Sequence, residues 1–136
     1  THLWIAQRSA SKATDPGKYD NLIGGGVPEG QTPSQALRRE GWEEAGLHID
    51  ALHDLVPLGR VTVRRPLAEG YMVEHMDLFE ATLPNQLEPI NQDGEVQGFE
   101  RVGPTTLIER LCADAFTLEA GLALLASLRR RGPRSA

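Results

Sequence analysis

Three glutamates lie close together in the sequence at a spacing that could serve one chemical task. Glu40, Glu43 and Glu44 stand at positions i, i+3 and i+4, which places all three side chains on one face of an α-helix. Each pair of like charges at this spacing costs about 0.2–0.5 kcal/mol on an isolated helix. A hard divalent cation, which prefers oxygen ligands, would turn this repulsion into a binding site. The alternative is a solvated acidic helix face, and the spacing alone favours that alternative.

A glycine-rich loop precedes the acidic segment and changes this balance. Gly24, Gly25 and Gly26 are consecutive, and glycine lets the backbone approach a ligand where a side chain would block it. The start of the following helix offers free N–H groups and the positive end of the helix dipole, which together favour a bound phosphate. The loop and the glutamates therefore indicate a metal ion beside a phosphorylated ligand.

The helix that carries the glutamates has local signals at both ends. Thr32 is a predicted N-cap, Pro33 occupies the first helical position, and Gln35 completes a capping box. Gly46 supplies a left-handed C-terminal stop. Gly41 costs about 1 kcal/mol relative to Ala in mid-helix, so we expect it to allow close packing of this helix against a strand.

Strands and helices alternate along the rest of the chain. The predicted strands cover residues 3–7, 55–63, 72–83 and 99–102. The predicted helices cover residues 107–112, opened by a capping box of Thr106 and Glu109, and residues 118–130, capped by Thr117 and stopped at Gly132. Residues 8–21 form a predicted polar loop with a turn at Pro16 and Gly17. This alternation favours a layered α/β domain.

The composition excludes several classes of function. The 136 residues fit one compact domain, with 40% hydrophobic residues to form its core. The formal net charge of −5 argues against broad nucleic-acid binding. Cys112 is the single cysteine, which excludes an intramolecular disulfide and a cysteine-based zinc site. Its side chain is expected to be buried. No segment approaches the roughly 18 apolar residues of a membrane-spanning helix, so no membrane partner is expected and the cytoplasm is the expected location.

The two ends of the chain carry weaker signals. The sequence begins at Thr1 without a methionine and enters an apolar stretch at once. We therefore expect that an N-terminal extension precedes this single domain of residues 1–136. The basic tail, residues 129–136, is expected to be a frayed and solvated end.

A resemblance to the Nudix box covers the segment GGGVPEGQTPSQALRREGWEEAGL. The box reads as a glycine, five residues, a glutamate, seven residues and then Arg-Glu-apolar-x-Glu-Glu-x-Gly-apolar. Gly25 aligns with its first glycine, and residues 39–47 align with its closing run. Two positions depart from the pattern, because Gln31 replaces the first glutamate and Gly41 replaces an apolar residue. The missing glutamate bears on the rate more than on membership of the family.

This resemblance implies an α/β/α sandwich with a central mixed β-sheet, and Mg²⁺ or Mn²⁺ as the cofactor. The metal ligands that it implies are Glu40, Glu43, Glu44 and the carbonyl of Gly24. Arg39 would orient the glutamates through an ion pair. A glutamate would accept a proton from the attacking water, and the candidates are Glu44 and Glu95. Glu95 follows a glycine turn and precedes a strand, although an exposed loop acid is its alternative interpretation.

The resemblance extends to the stretch before the box, WIAQRSASKATDPGKYDNLIGGGVPEG. This stretch is similar to a Nudix subgroup related to the domain fused to thiamine pyrophosphokinase, which implies hydrolysis of thiamine diphosphate or its damaged analogues to the monophosphate. The same stretch resembles isopentenyl-diphosphate isomerase, in which basic residues grip a diphosphate. Arg8 and Lys12 would take that role here, unless they are ordinary surface charges. Isomerisation is not expected, since the catalytic Cys and the His-Pro pair of that enzyme are missing at residues 23–26.

Other candidates for substrate binding follow from position in the sequence. Gly25 and Gly26 could contact the substrate through their backbone, and Glu74 could face the pocket. His75 could do so too, although a strand histidine is more often structural. The expected partner is a small-molecule diphosphate, and the chain could form a homodimer. Three functions stay open: hydrolysis of a thiamine-like diphosphate, hydrolysis of a nucleoside diphosphate derivative such as ADP-ribose or of a nucleoside triphosphate, and ligand binding without catalysis.

Overall fold

The computed structural model describes residues 2–131, in which strands and helices alternate. The strands are β1 (Leu3–Arg8), β2 (Tyr19–Asn21), β3 (His53–Leu67), β4 (Gly70–Thr82) and β5 (Val96–Val102). The helices are α1 (Pro33–Ala45), α2 (Pro104–Cys112) and α3 (Leu118–Arg131), and a short 3-10 turn covers Ile49–Ala51. This order confirms the predicted α/β class. The predicted stop at Gly132 and most of the basic tail lie outside the described residues, as does Thr1.

The strands form two sheets instead of the single mixed sheet that we expected. A three-stranded sheet has the order β2-β1-β5, and β3 pairs with β4 in a separate hairpin. All three of these strand pairs are antiparallel. Tyr19 and Phe116 form an isolated parallel bridge. The hairpin forms because only two residues separate β3 from β4, a connection that joins antiparallel strands and excludes a parallel crossover.

The segment between β1 and α1 contains a strand that the sequence did not predict. Residues 8–21 were expected to be loop, but β2 occupies Tyr19–Asn21 and pairs with β1. The turn at Pro16 and Gly17 is present, and Gly17 adopts a φ of 74°. β2 has no apolar run because it is a three-residue edge strand, so its sequence carries little strand signal.

One hydrophobic cluster joins the three-stranded sheet to α2 and α3. Its buried members are Ile5, Val102, Leu107, Phe116, Ala120 and Leu124. Thr117 caps α3 as predicted, because its Oγ1 accepts a hydrogen bond from the N–H of Ala120 at 3.1 Å. The helices therefore cover the sheet in layers around a shared core.

Two expectations about α2 are wrong. The helix begins at Pro104, with Gly103 as its N-cap and no side-chain capping bond, whereas a capping box at Thr106 was expected. Proline suits the first helical position, since its missing N–H has no intrahelical partner to lose. Cys112 is exposed, because it is the last residue of α2 and does not share the face on which Leu107 joins the core. No helix among residues 2–131 has the length and apolar character of a membrane span.

Candidate functional site

The caps of α1 fix where its glutamates stand. Thr32 Oγ1 accepts a hydrogen bond from the N–H of Gln35 at 3.2 Å, and Gln35 Oε1 accepts one from the N–H of Thr32 at 2.9 Å. Gly46 ends the helix in the left-handed conformation, with φ 62°. Both predicted caps are confirmed, and they place Glu40, Glu43 and Glu44 in the last turns of α1.

Gly41 holds α1 close to its neighbours, although the neighbour is not a strand. A Cβ at this position would lie 2.9 Å from Ile49 Cδ1 and 3.3 Å from Ile23 Cδ1. Gly41 itself is buried. The close packing is confirmed, but the partners are the 3-10 turn and the residue that leads into the glycine loop. This contact presses α1 against the chain segment that carries the three glycines.

The glycine loop lies directly against two of the glutamates. The N–H of Gly24 donates to Glu44 Oε2 at 2.9 Å. A Cβ at Gly25 would lie 2.5 Å from Glu40 Oε1 and 2.8 Å from Glu40 Cγ, which is closer than real Cβ atoms approach another side chain. Glycine is therefore needed at Gly25 because it has no side chain, and not because of an unusual backbone conformation. The carboxylate of Glu40 occupies the space that a side chain would fill.

Arg39 connects the loop to the helix. Its Nη2 donates to Glu40 Oε1 at 3.0 Å and to the carbonyl oxygen of Gly26 at 3.1 Å. Its Nε is buried and has no hydrogen-bond partner in the described chain. The expected ion pair with a glutamate is therefore present, and Arg39 holds Glu40, whose side chain is only 17% exposed, in a fixed position.

The surroundings of Glu44 favour its neutral form. Burial raises its pKa most, the hydrogen bond from Gly24 lowers it, and the charge and hydrogen bond of Glu40 raise it again, which brings the pKa to about 8. The charge of Asp93 makes a smaller contribution in the same direction, which this value includes. Two neighbouring carboxylates in a partly desolvated site cannot both ionise at low cost. Without a cation, Glu44 therefore carries a proton at neutral pH.

The donor set fits a hard divalent cation. Glu40 and Glu44 supply carboxylate oxygens, which Mg²⁺ and Mn²⁺ prefer, and a dication would replace the proton on Glu44. The group of Gly24 that contacts Glu44 is its N–H, and the role of its carbonyl as a metal ligand stays a prediction. Glu43 is exposed, and the charges that act on the pKa of Glu44 come from Glu40 and Asp93 and not from Glu43. No group of three His, Cys, Asp or Glu side chains in residues 2–131 is arranged to hold a metal ion as it stands, so a metal would need Glu43 to turn inward.

The loop before β5, which contains residues 90–93, is hydrogen-bonded to the C-terminal end of α1. Gln92 Nε2 donates a hydrogen bond to the carbonyl oxygen of Trp42 at 2.6 Å. The N–H of Ile90 donates a hydrogen bond to the carbonyl oxygen of Ala45 at 2.7 Å. These two bonds bring Asp93 near Glu44, where its charge affects the pKa. Asp93 and Gln92 were missed from the sequence. The Asp-Gly pair at Asp93 was a visible turn signal, but nothing local shows which side chain of that turn faces α1.

Glu95, chosen from the sequence as the loop acid, has a different partner. Its Oε2 lies 3.3 Å from Lys12 Nζ, and its carbonyl oxygen accepts a bond from the N–H of Ser9 at 3.2 Å. The structure thus brings Lys12 and Glu95 together, and each neutralises the other. Their roles toward a substrate and a water molecule stay predictions.

Arg8 is engaged inside its own loop. Its Nε and Nη2 donate to the carbonyl oxygen of Thr14 at 3.1 and 2.9 Å, and its Nη1 donates to Asp20 Oδ2 at 3.2 Å. These bonds close the loop that follows β1. A diphosphate would have to compete with Asp20 for this guanidinium, so its role in binding a substrate stays a prediction.

The remaining candidates lie on the hairpin. Glu74 pairs across the hairpin with Val63, and His75 Nδ1 lies 3.0 Å from Thr62 Oγ1 in a cross-strand hydrogen bond. A cavity of about 650 Å³ separates the start of α1 from the hairpin, and one of about 350 Å³ lies beside α3. The three glutamates line neither cavity. Neither of these two cavities is therefore the carboxylate site, which lies beside the glycine loop.

The sequence is similar to that of known Nudix proteins. A family model described as NUDIX domain matches residues 1–120. A Nudix hydrolase from Deinococcus radiodurans is 34% identical over 129 residues, which cover 95% of this chain and 69% of that protein. Nudix hydrolase 24, chloroplastic, from Arabidopsis thaliana is 35% identical over 112 residues and 74% of this chain. The chain spans only 27% of the length of that relative. An isopentenyl-diphosphate Delta-isomerase from Corynebacterium glutamicum is 28% identical over 124 residues, 88% of this chain and 65% of that enzyme.

Solved structures share the fold. A crystal structure of a Deinococcus radiodurans protein superposes with a TM-score of 0.70 at 32% identity, over 97% of this chain and 75% of that one. The NUDIX domain of Shewanella oneidensis NrtR, solved with ADP ribose, has a TM-score of 0.69 at 15% identity, over 96% of this chain and 77% of that one. At that identity the second likeness concerns the fold alone. The expected Nudix fold is confirmed, with two antiparallel sheets in place of the expected mixed sheet.

Proposed function

Because this chain belongs to the Nudix family, we propose that it hydrolyses a diphosphate linkage in a small organic substrate with the help of a divalent cation. The observation that carries the proposal is the contact between the Glu40 and Glu44 carboxylates and the backbone of the glycine loop. A carboxylate pair with a shared proton, beside a backbone that leaves room for a ligand, suits a cation and a phosphate together.

The residues of the site would take separate roles in binding the cation and in positioning its ligands. Glu40, Glu44 and the carbonyl of Gly24 would hold Mg²⁺ or Mn²⁺, with Glu43 turning in from its exposed position. The bound cation would neutralise charge on the diphosphate and lower the pKa of water. Arg39 would keep Glu40 in place through its bond at 3.0 Å.

A carboxylate must also accept the proton of the attacking water. Glu44 is one candidate, because its carboxylate lies against the glycine loop, beside which the phosphate would bind. Glu95 stays the second candidate, although Lys12 now neutralises it. Asp93 is a third, since its loop is bonded to α1 at Trp42 and Ala45. Replacing each acid by its amide would separate these candidates by the size of the loss in kcat.

Two classes of substrate are in competition. A thiamine-like diphosphate follows from the resemblance of the stretch before the box, in which Arg8 and Lys12 would bind phosphate oxygens in exchange for Asp20 and Glu95. None of the relatives and structures named above carries thiamine in its name. A nucleoside diphosphate derivative is supported by the ADP ribose in the NrtR domain. Gly25 and Gly26 would contact the phosphates in both cases, and Glu74 would contact the organic part.

The test is release of phosphate or monophosphate in the presence of Mg²⁺ from a panel that contains thiamine diphosphate, oxidised thiamine diphosphates, ADP-ribose and nucleoside triphosphates. We expect release from one class, and we expect Glu44→Gln to lower kcat by about 100-fold or more, since it acts on the reacting groups. Glu109→Gln is the matched control, because Glu109 is an exposed glutamate of α2.

Two results would overturn this proposal. Release by Glu44→Gln at the rate of Glu109→Gln would remove the carboxylate site from the chemistry. Binding of a panel member without release of any product would favour the non-catalytic module instead. The cytoplasmic location, the homodimer and the single-domain organisation stay predictions of the sequence.

A further inference from the structure

The loop before β5 is bonded to two different parts of the molecule. At its start, the N–H of Ile90 and the side chain of Gln92 donate hydrogen bonds to carbonyl oxygens of α1. At its end, the N–H of Ser9 donates a hydrogen bond to the carbonyl oxygen of Glu95 at 3.2 Å, and Glu95 Oε2 lies 3.3 Å from Lys12 Nζ. This loop therefore connects the helix that carries the carboxylates to the loop that carries Lys12.

The two acids of the loop act on different groups, although a single residue separates them. The charge of Asp93 raises the pKa of Glu44 on α1, whereas Glu95 pairs with Lys12. Residues i and i+2 of an extended strand lie on the same face, so an extended chain would present both acids to the same side. Gly94 lies between them with a φ of 74°, in the left-handed region that glycine adopts at little cost. The turn at Gly94 therefore separates the two acids.

Asn91 holds this turn with both ends of its side-chain amide. Its Oδ1 accepts a hydrogen bond from the N–H of Gly94 at 3.0 Å, and its Nδ2 donates one to the carbonyl oxygen of Val96 at 2.8 Å. Asparagine side chains commonly bond the backbone a few residues ahead in turns. Because Val96 is the first residue of β5, one side chain spans the turn and ties it to the end of the sheet.

The other polar side chains of the loop have narrower roles. Gln92 attaches the start of the loop to α1. Asp93 Oδ1 accepts a hydrogen bond from the N–H of Glu95 at 3.0 Å, a bond that stays within the turn. The Asn91 amide offers a donor and an acceptor at once, which a carboxylate cannot do when ionised. The separation of the two acids therefore depends on Asn91.

We propose that Asn91 is a positioning residue, which acts on the site through Asp93 and Glu95. It keeps Asp93 beside the glutamates of α1 and Glu95 beside Lys12. This inference rests on the proposed function, because it gives the loop a part in binding the cation and the phosphate. Loss of Asn91 should release both acids together, whereas loss of Gln92 should release only the attachment to α1.

The first test follows Lys12 by NMR and needs no catalysis. The chain contains two lysines, Lys12 and Lys18, so isotope labelling of the lysine ε carbons gives two signals, which Lys12→Gln assigns. We expect Glu95→Gln to shift the Lys12 signal, and Asn91→Ala to shift it in the same direction by a similar amount. The Lys18 signal should not move. Asn85→Ala is the matched control, because Asn85 is an exposed asparagine in the same connection between β4 and β5; it should leave both signals unchanged.

The second test measures the affinity for Mn²⁺ by electron paramagnetic resonance. Asp93→Asn and Asn91→Ala should each lower this affinity about threefold to tenfold, since a negative charge near the cation is removed or displaced. The double variant should bind no more weakly than Asp93→Asn alone, because Asn91 then has no charge left to position. Asn91→Ser, whose hydroxyl can still accept the bond from the N–H of Gly94, should give an intermediate loss.

Three results would decide against these ideas. An Asn91→Ala variant that matches Asn85→Ala in either measurement would overturn the inference, and so would additive losses of Mn²⁺ affinity in the double variant. A wild type that binds no Mn²⁺ would overturn the proposed function instead, and the Lys12 signal would then decide the inference. If Asn91→Ala does not fold, Asn91→Ser takes its place in both measurements, with smaller expected changes in the same directions.

Discussion

Glu44 should make the metal-free protein less stable as the pH rises. Its pKa is raised to about 8 in the folded chain, mainly by burial, whereas in the unfolded chain it has the ordinary value of 4.5. Because the pKa is raised in the folded state, the contribution of Glu44 to the free energy of unfolding is fully present at a pH below the pKa of the unfolded chain. This contribution is lost as the pH rises through the pKa of the folded chain. The window for this loss therefore runs from about pH 4.5 to about pH 8.

The size of the effect follows from the linkage between protonation and folding. A difference of one unit in pKa corresponds to about 1.4 kcal/mol of stability. Glu44 is only partly buried, so water screens its interactions, and we expect a total loss of about 2 kcal/mol instead of the full value. For a domain of this length such a loss lowers Tm by roughly 6 °C.

The comparison of the wild type with Glu44→Gln isolates this contribution. Glutamine keeps an oxygen that can accept the bond from the N–H of Gly24, and it carries no charge at any pH. With EDTA present, the two proteins should melt at similar temperatures at pH 5, and the variant should melt roughly 6 °C higher at pH 9. Glu109→Gln, on an exposed surface of α2, should follow the wild type throughout.

The dependence on metal provides the complementary measurement. Because Mg²⁺ must displace the proton on Glu44, its affinity should increase as the pH rises toward 8. Parallel melting curves of the wild type and Glu44→Gln between pH 5 and pH 9 would refute the shared proton. Affinity for Mg²⁺ that does not change over this range would refute the exchange of proton for metal.

Three further substitutions test the parts of the site that hold these groups. Gly25→Ala should displace the carboxylate of Glu40, whose Oε1 lies where the new Cβ would stand, and should lower kcat by about 100-fold, while Gly98→Ala should not; equal rates in a hydrolysis assay would contradict the packing argument. Thr32→Ala removes the cap of α1 and should cost about 1 kcal/mol in chemical denaturation; an unchanged midpoint would contradict the capping bond. Gln92→Ala removes the bond to α1 at 2.6 Å and should lower kcat about tenfold with little change in KM, since the loop would no longer hold its acid near the helix; an effect on KM alone would assign the loop to substrate binding instead.

The sequence by itself determined the helix and the spacing of its acids. The caps at Thr32 and Gly46 involve contacts within a few residues, so local chemistry is sufficient to predict them. The same holds for the cap at Thr117 and for the α/β class, which follows from alternating local patterns. Gly41 also predicted close packing, because a glycine in mid-helix destabilises the helix unless tight packing against a neighbour compensates.

Only the tertiary structure decided which groups meet the glutamates. Gly24 and Glu44 are 20 residues apart and Trp42 and Gln92 are 50 apart, so no local pattern records their contact. The same limit explains why Glu95 was chosen over Asp93, since both flank the same glycine and only packing turns one toward α1. The raised pKa of Glu44 likewise depends on burial and on neighbours from three segments. The sequence specifies which residues are present. The burial of each side chain and its distance from other charges set its pKa, and both arise only when the segments pack together.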